Sequence, residues 1–167
     1  MADGSYIMHT AKIAPKLEEL YPEPSLHLGL PTNDEAGEIA DMLTMFFAPG
    51  LMPSILDLLQ EPSKSWFIID RERRLGMSLD EMTQKLGGEQ MWEKAEPYLE
   101  KLKKLLESNK KDEGPFILGN KPSLGDLLIV ALFEGYRKLA SDDRLVTYDA
   151  SFQKLNEACK QWTKKDD

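Results

Sequence analysis

The stretch that most constrains this chain runs from Gly114 to Ala140, GPFILGNKPSLGDLLIVALFEGYRKLA. Its middle, Leu127 to Phe133, is an unbroken apolar run. A helix apolar on all sides reads as buried core, because a half-exposed one separates polar from apolar faces. Ser123 followed three residues later by Asp126 is the acidic form of a capping box. The hydroxyl accepts from the backbone N–H at the third helical position, and the carboxylate reaches back to the N–H of Ser123. Pro122 can staple onto Leu127, while Gly114, Pro115, Gly119 and Pro122 keep the approach irregular. The helix therefore has a fixed start, and the apolar run is far too short to span a bilayer.

What surrounds this helix is bounded by composition. With 167 residues, 41% of them hydrophobic, the chain can bury one sizeable core. Its 21 basic and 29 acidic side chains give a formal charge of -8, so neither nucleic acid nor an acidic membrane surface is an expected partner. Cys159 is the one cysteine, which excludes an internal disulfide, and no Cys/His spacing suits a metal site. Met1 is followed by a polar ADGS rather than a secretory signal, so the cytoplasm is the expected compartment.

From the N-terminus, Asp3-Gly4 is a hairpin-turn dipeptide, and Ser5 to Met8 reads as a short strand. Thr10 can cap a helix from Ala11 to about Leu20, with Ile13, Leu17 and Leu20 on one face and Pro15 early enough to be tolerated. A lone strand needs a sheet to stand in. Pro22 to Thr32 is a connector punctuated by proline and glycine, and its His27 has no expected chemical role.

Asn33 or Asp34 then caps an acidic helix with Ile39, Met42, Leu43, Phe46 and Phe47 as its stripe; Pro49-Gly50 and Pro53 predict a kink or a break into two. Met45, Phe46, Phe47, Leu51 and Met52 cluster near that break, either as core or as an adaptable apolar wall. Ser63 to about Gly76 reads as a helix with Trp66, Phe67, Ile68 and Ile69 as its apolar set and Asp70 to Arg74 as a solvated ion-pair face. Ser78 and Glu81 form a second capping box. Gln90 to Lys110 is the longest periodic segment, expected to pack against the Leu127 to Phe133 helix. A last amphipathic helix carries Phe152, Leu155, Cys159 and Trp162, with Cys159 expected to be a buried, inert thiol.

Two of these stretches carry a resemblance. The string Pro115-Phe116-Ile117-Leu118-Gly119-Asn120-Lys121-Pro122-Ser123, then Asp126, resembles the cap and core helix of the C-terminal all-helical domain of cytosolic glutathione transferases. YIMHTAKIAPKLEELYP is similar to the last strand and helix of their thioredoxin-like domain. The resemblance implies an all-α bundle preceded by a remnant strand and helix: 1–22 the remnant, 23–33 the linker, 34–163 the helical domain and 164–167 a charged tail. Counting back from Tyr21-Pro22, Thr10 falls where the family has its glutathione-contacting serine, and His9 where it has an acidic residue. Glutathione binding is thereby implied at Thr10 and His9, with Thr10 equally readable as a plain N-cap, and substrate binding at Met45, Phe46 and Met52. The strand and helix that bring the catalytic Ser, Tyr or Cys have no counterpart in these residues, so no catalytic residue is assigned. Trp66-Phe67, Arg71-Glu72, Arg74, Gly76, Ser78-Leu79 and Glu81 resemble the etherase-like branch of fungal glutathione transferases, including relatives found with peptide-toxin pathways.

Two functions are consistent with this. One is glutathione conjugation, or etherase-type thiolysis, of a hydrophobic small molecule, which needs a thiol activator that these residues do not supply. The other is a helical binding or interaction module without turnover. A homodimer is expected in either case, since the strand edge and the Ile13, Leu17, Leu20 face want a cover.

Overall fold

The computed structural model describes residues 6–108 and 112–163. Among them are eight helices: α1 (Thr10–Leu20), α2 (Pro31–Leu58), α3 (Ser63–Leu75), α4 (Leu79–Leu86), α5 (Glu89–Ser108), α6 (Leu124–Ala140), α7 (Arg144–Thr147) and α8 (Ala150–Thr163). The expected strand does not form over Tyr6–Met8, which is irregular and leaves Tyr6 95% exposed. A strand without a neighbour has no partner for its backbone groups. The Asp3-Gly4 turn, Ser5, the expected end of α5 at Lys110 and the tail at 164–167 lie outside the described residues.

The axis of the molecule is α2, not α6. Helix α2 packs along α6 on one side and α5 on the other, with α4 against its second half. The long periodic helix α5 therefore lies mainly on α2 rather than on α6; the two meet through side chains such as Trp92 and Tyr136, whose rings are 5.7 Å apart. Phe47, Phe133 and Phe152, all fully buried, tie α2, α6 and α8 together. Each such burial stabilises the fold by roughly 1.5–3 kcal/mol.

Helix α2 runs unbroken through Pro49, Gly50 and Pro53, where the sequence predicts an interruption. Pro53 has no N–H to give the carbonyl of Pro49, and a buried orphan acceptor there would be costly. The hydroxyl of Thr83 on α4 donates to that carbonyl at 3.0 Å. Gly50 leaves room for α5: a Cβ there would lie 2.5 Å from Met91 Sδ. A neighbouring helix thus repairs what Pro53 removes.

The start of α6 is buried, and the N–H groups of its first turn find partners. Leu124 N–H donates to the Leu26 carbonyl of the linker at 3.0 Å, and Gly125 N–H to Asn33 Oδ1 at 2.9 Å. The Asp126 N–H faces the Ser123 hydroxyl in a capping box, and Leu127 N–H reaches the Ser123 carbonyl. Asp126 in turn accepts from the Ser123 N–H (2.8 Å), the Ser123 hydroxyl (2.7 Å) and the Ile117 N–H (2.8 Å). Asn33 is accordingly not the cap of its own helix. Leu30 holds that position, with Pro31 in the first turn, and the Asn33 amide is spent on the cap of α6.

Helix α3 departs from expectation on both faces. Asp70 is buried between Arg73 and Arg74, each 2.8 Å from its carboxylate, while Trp66 and Ile69 are 65% and 67% exposed. Burial would raise the Asp70 carboxyl, but the two guanidinium groups outweigh it and hold it below the usual carboxylate range. Only Phe67 and Ile68 of the apolar set reach the small second core around Met52, Leu79 and Met82.

Candidate functional site

A cleft of about 1030 Å³ opens between the first turn of α1, the linker, α2 and α6. Its existence follows from how α6 is dressed. The Leu127 to Phe133 run is not wholly buried: Ile129, Val130 and Phe133 enter the core, while Leu128, Ala131 and Leu132 face the cleft. Leu124 and Leu139 extend this apolar wall at both ends.

The facing wall is α2. A Cβ on Gly37 would meet Leu128 Cδ1 at an ordinary 3.8 Å, and Thr44, Leu51 and Ile55 continue the wall. At the N-terminal end of both helices the approach is closer. A Cβ on Gly125 would stand 2.9 Å from the Ala36 Cβ and 3.0 Å from Asn33 Oδ1, so only glycine fits. Phe47 and Tyr136 make the floor, their ring centroids 5.1 Å apart. Burial, with the charge of Asp142 behind it, pushes the Tyr136 phenol up to about 12. The phenol thus stays protonated and points its hydroxyl at Asp142, 3.5 Å away.

One end of the cleft is closed by the start of α1. His9, in the N-cap position, has φ 72 and ψ 132, a conformation few residues other than glycine adopt. Its carbonyl accepts from Lys12 and Ile13 N–H, but its side chain makes no cap bond. Thr10 is the first helical residue rather than the cap. Thr10 and Ala11 line the cleft, at the positive end of the α1 dipole. Helix α1 is held in this place by Glu18, whose carboxylate accepts from the Ser25 hydroxyl (2.5 Å) and the Leu26 N–H (2.9 Å) of the linker. The Ser25 hydroxyl bond, and then the Leu26 N–H, keep the Glu18 carboxyl below its usual range.

Of the residues singled out from sequence, Thr10 lines the cleft and His9 adjoins it. Met45, Phe46 and Met52 do not line it. Met45 is 54% exposed on another face, Phe46 packs against Tyr98 with ring centroids 5.5 Å apart, and Met52, 7% exposed, belongs to the second core. On α2 the cleft is lined instead by Thr44, Phe47 and Leu51, each one position and so about 100° around the helix from Met45, Phe46 and Met52. The signal that marks the right face is the run of small residues Gly37, Ala40, Thr44 and Ala48 at helical spacing. Cys159 is buried between α6 and α8, and burial pushes its thiol up to about 11. It takes no part in the cleft.

Comparison with known proteins places the architecture. The family described as glutathione S-transferase, C-terminal domain, matches residues 37–162. The chain superposes on the crystal structure of glutathione transferase GSTFuA3 from Phanerochaete chrysosporium with a TM-score of 0.79 at 23% identity, covering 94% of this chain and 65% of that one. It superposes on the glutathione S-transferase CsGST63524 of Ceriporiopsis subvermispora, solved in complex with glutathione, with a TM-score of 0.78 at 21% identity, covering 99% and 70%. This chain thus spans about two thirds of the length of each of these structures. No curated protein matches it.

Proposed function

The chain belongs to the glutathione S-transferase family through its C-terminal domain, and on that premise we propose that it serves glutathione-dependent transfer by holding a hydrophobic electrophile in the cleft between α2 and α6. One observation carries this reading: the uncapped first turn of α1 and the apolar walls of α2 and α6 open into the same cavity. The donors at that turn fit glutathione. The first-turn amides and the Thr10 hydroxyl suit the γ-glutamyl carboxylate, as an anion at a helix N-terminus does. Leu128, Leu132 and Leu51 exclude water and orient an apolar partner. Glutathione would supply the thiolate that bonds to the electrophilic carbon as the leaving group departs.

The etherase-type branch of this chemistry is part of the proposal, supported by the Trp66 to Glu81 motif. Self-association as a homodimer is proposed as well, since Ile13, Leu17 and Leu20 of α1 stand exposed in one row. A second reading is favoured by a specific feature: the Tyr136 phenol in the cleft floor is turned to Asp142, 3.5 Å away, rather than into the cleft. In that reading the 167 residues bind without turning over. Calorimetry with glutathione and with S-hexylglutathione tests the site itself. The alkyl derivative should bind, and Leu128→Trp should abolish its advantage. Equal, weak binding of both compounds would remove the cleft as the apolar subsite.

A further inference from the structure

We propose that the cleft selects apolar ligands that carry a positively charged group and discriminates against anionic ones, with Asp34, Glu38 and Asp41 setting the preference. This rests on the cleft being the ligand site. The observation is the uneven charge of its lining. Asp34, Glu38 and Asp41 follow one another at spacings of 4 and 3 along α2, so they form a single ridge on the cleft wall. All three are exposed. Among the described residues none of them is within ion-pair distance of a lysine, arginine or histidine, and no cationic side chain lines the cleft.

The opposite wall is dominated by leucines: Leu124, Leu128, Leu132 and Leu139 offer neither counter-charge nor hydrogen bond, and the Tyr136 phenol in the floor is neutral. Carboxylates facing a low-dielectric wall across a cleft focus a negative potential into it. An aliphatic or aromatic body can lie on the α6 leucines whatever its charge. Its head group then meets the ridge, where a carboxylate or sulfonate is repelled and an ammonium is attracted. The α1 amides at the end of the cleft offer one anion-binding position, which the proposed function gives to the γ-glutamyl carboxylate. The second reactant, seated along the ridge, is therefore neutral or cationic. Each carboxylate is exposed and works at surface strength, so the preference is the sum of three modest attractions rather than one strong pair.

The test displaces Nile red, a neutral apolar dye, from the full chain with decyltrimethylammonium, decanol and decanoate below their micelle concentrations in low salt. The cation should bind about tenfold tighter than the anion or better, with the alcohol between, and salt near 0.5 M should compress the series. The triple variant Asp34→Asn, Glu38→Gln, Asp41→Asn should collapse cation and anion onto the alcohol while leaving the alcohol unchanged. Leu128→Trp should weaken all three compounds alike. If the three compounds bind equally and Leu128→Trp still weakens them, the charge preference is wrong and the cleft stands. If Leu128→Trp changes nothing, or none of the compounds displaces the dye, the cleft reading falls and this inference falls with it. Tighter binding of decanoate than of the cation, or an unchanged series in the triple variant, overturns the proposal outright.

Discussion

Asn33 and Gly125, 92 residues apart in the chain, are joined by a 2.9 Å hydrogen bond from the Gly125 N–H to the Asn33 side-chain oxygen, and the same amide donates to the His27 carbonyl at 2.8 Å. One buried side chain thereby locks the linker, the start of α2 and the start of α6 into a single joint at the end of the cleft. Replacing it with alanine strands the buried Gly125 N–H, while the half-buried His27 carbonyl can turn to water. Asn33→Ala should therefore cost about 1–3 kcal/mol, beyond a surface-cap effect. Urea unfolding checks it, and a loss below about 0.5 kcal/mol would mean water replaces both bonds.

Asp126 and Ser123 should behave unequally, although both belong to one capping box. Ser123→Ala removes a cap and should cost roughly 0.5–2 kcal/mol. Asp126→Ala leaves the buried N–H groups of both Ile117 and Ser123 without an acceptor, so at about 1–3 kcal/mol per stranded donor it should cost roughly 2–6 kcal/mol. Equal losses in the two variants would contradict the three-bond carboxylate.

Two glycines of α6 make a sharper contrast. Gly125→Ala forces a methyl to 2.9 Å from Ala36 and 3.0 Å from Asn33 Oδ1, an overpacking worth about 1–3 kcal/mol of destabilisation. Gly135 meets nothing within 4 Å, and in a helix interior its change to alanine should stabilise by about 0.5–1 kcal/mol. Thermal melts of the two variants should move in opposite directions.

What the sequence shows and what it hides divide along the range of each interaction. The Ser123–Asp126 box, the Ser78 cap, whose hydroxyl accepts from Glu81 N–H at 3.1 Å, and the Gly76 stop at φ 69 all depend on residues within a turn of each other, and local chemistry reveals them. Asn33 was open to misreading because an asparagine ahead of an amphipathic run looks like that run's own cap, and nothing nearby marks a partner 92 residues on. The proline pair in α2 looks like a break for the same reason, since Thr83 supplies the repair from another helix. Identity of an apolar stripe is also easier to see than its orientation. Phe46, Met45 and Met52 are apolar, but which side of α2 faces the cleft is decided by the close approach at Gly125 and the packing of α6.

The hold of α1 on the linker should depend on pH with a sign set by Glu18. Its folded carboxyl is depressed by the Ser25 hydroxyl and the Leu26 N–H. A depressed acid contributes stability that is present above its unfolded value, near 4.3, and is lost as pH falls through the lower folded value. Amide protection factors for Lys12 to Leu20 should therefore be flat from neutral pH down to about 5 and fall below about 4. Glu18→Gln should lower them at neutral pH and flatten the profile. A wild-type profile with no acid limb would detach α1 from this carboxylate.

Glutathione itself should bind these 167 residues only weakly, and the magnitudes say why. Thr10 and the first-turn amides offer the peptide one or two charge-assisted hydrogen bonds, at about 1.5–3 kcal/mol each, and a helix terminus adds about 0.3–1 kcal/mol. Against the cost of losing translational freedom, that leaves affinity near or weaker than about 1 mM. An S-hexyl group changes the balance, since burial in the cleft is worth about 0.8 kcal/mol per methylene, enough for roughly a hundredfold gain or more. Thr10→Ala should weaken the free and the alkylated peptide by the same small factor, whereas Leu128→Trp should weaken only the second. Turnover demands more than either contact: a positioned donor aimed at the sulfur is worth roughly 2.7–4 kcal/mol in a transition state, and the Tyr136 phenol of the cleft floor is turned to Asp142, 3.5 Å away. Conjugation by these 167 residues should accordingly stay near background. Micromolar binding of unmodified glutathione that survives Thr10→Ala, or robust turnover by the 167 residues, would show that the chain carries a peptide site other than the first turn of α1.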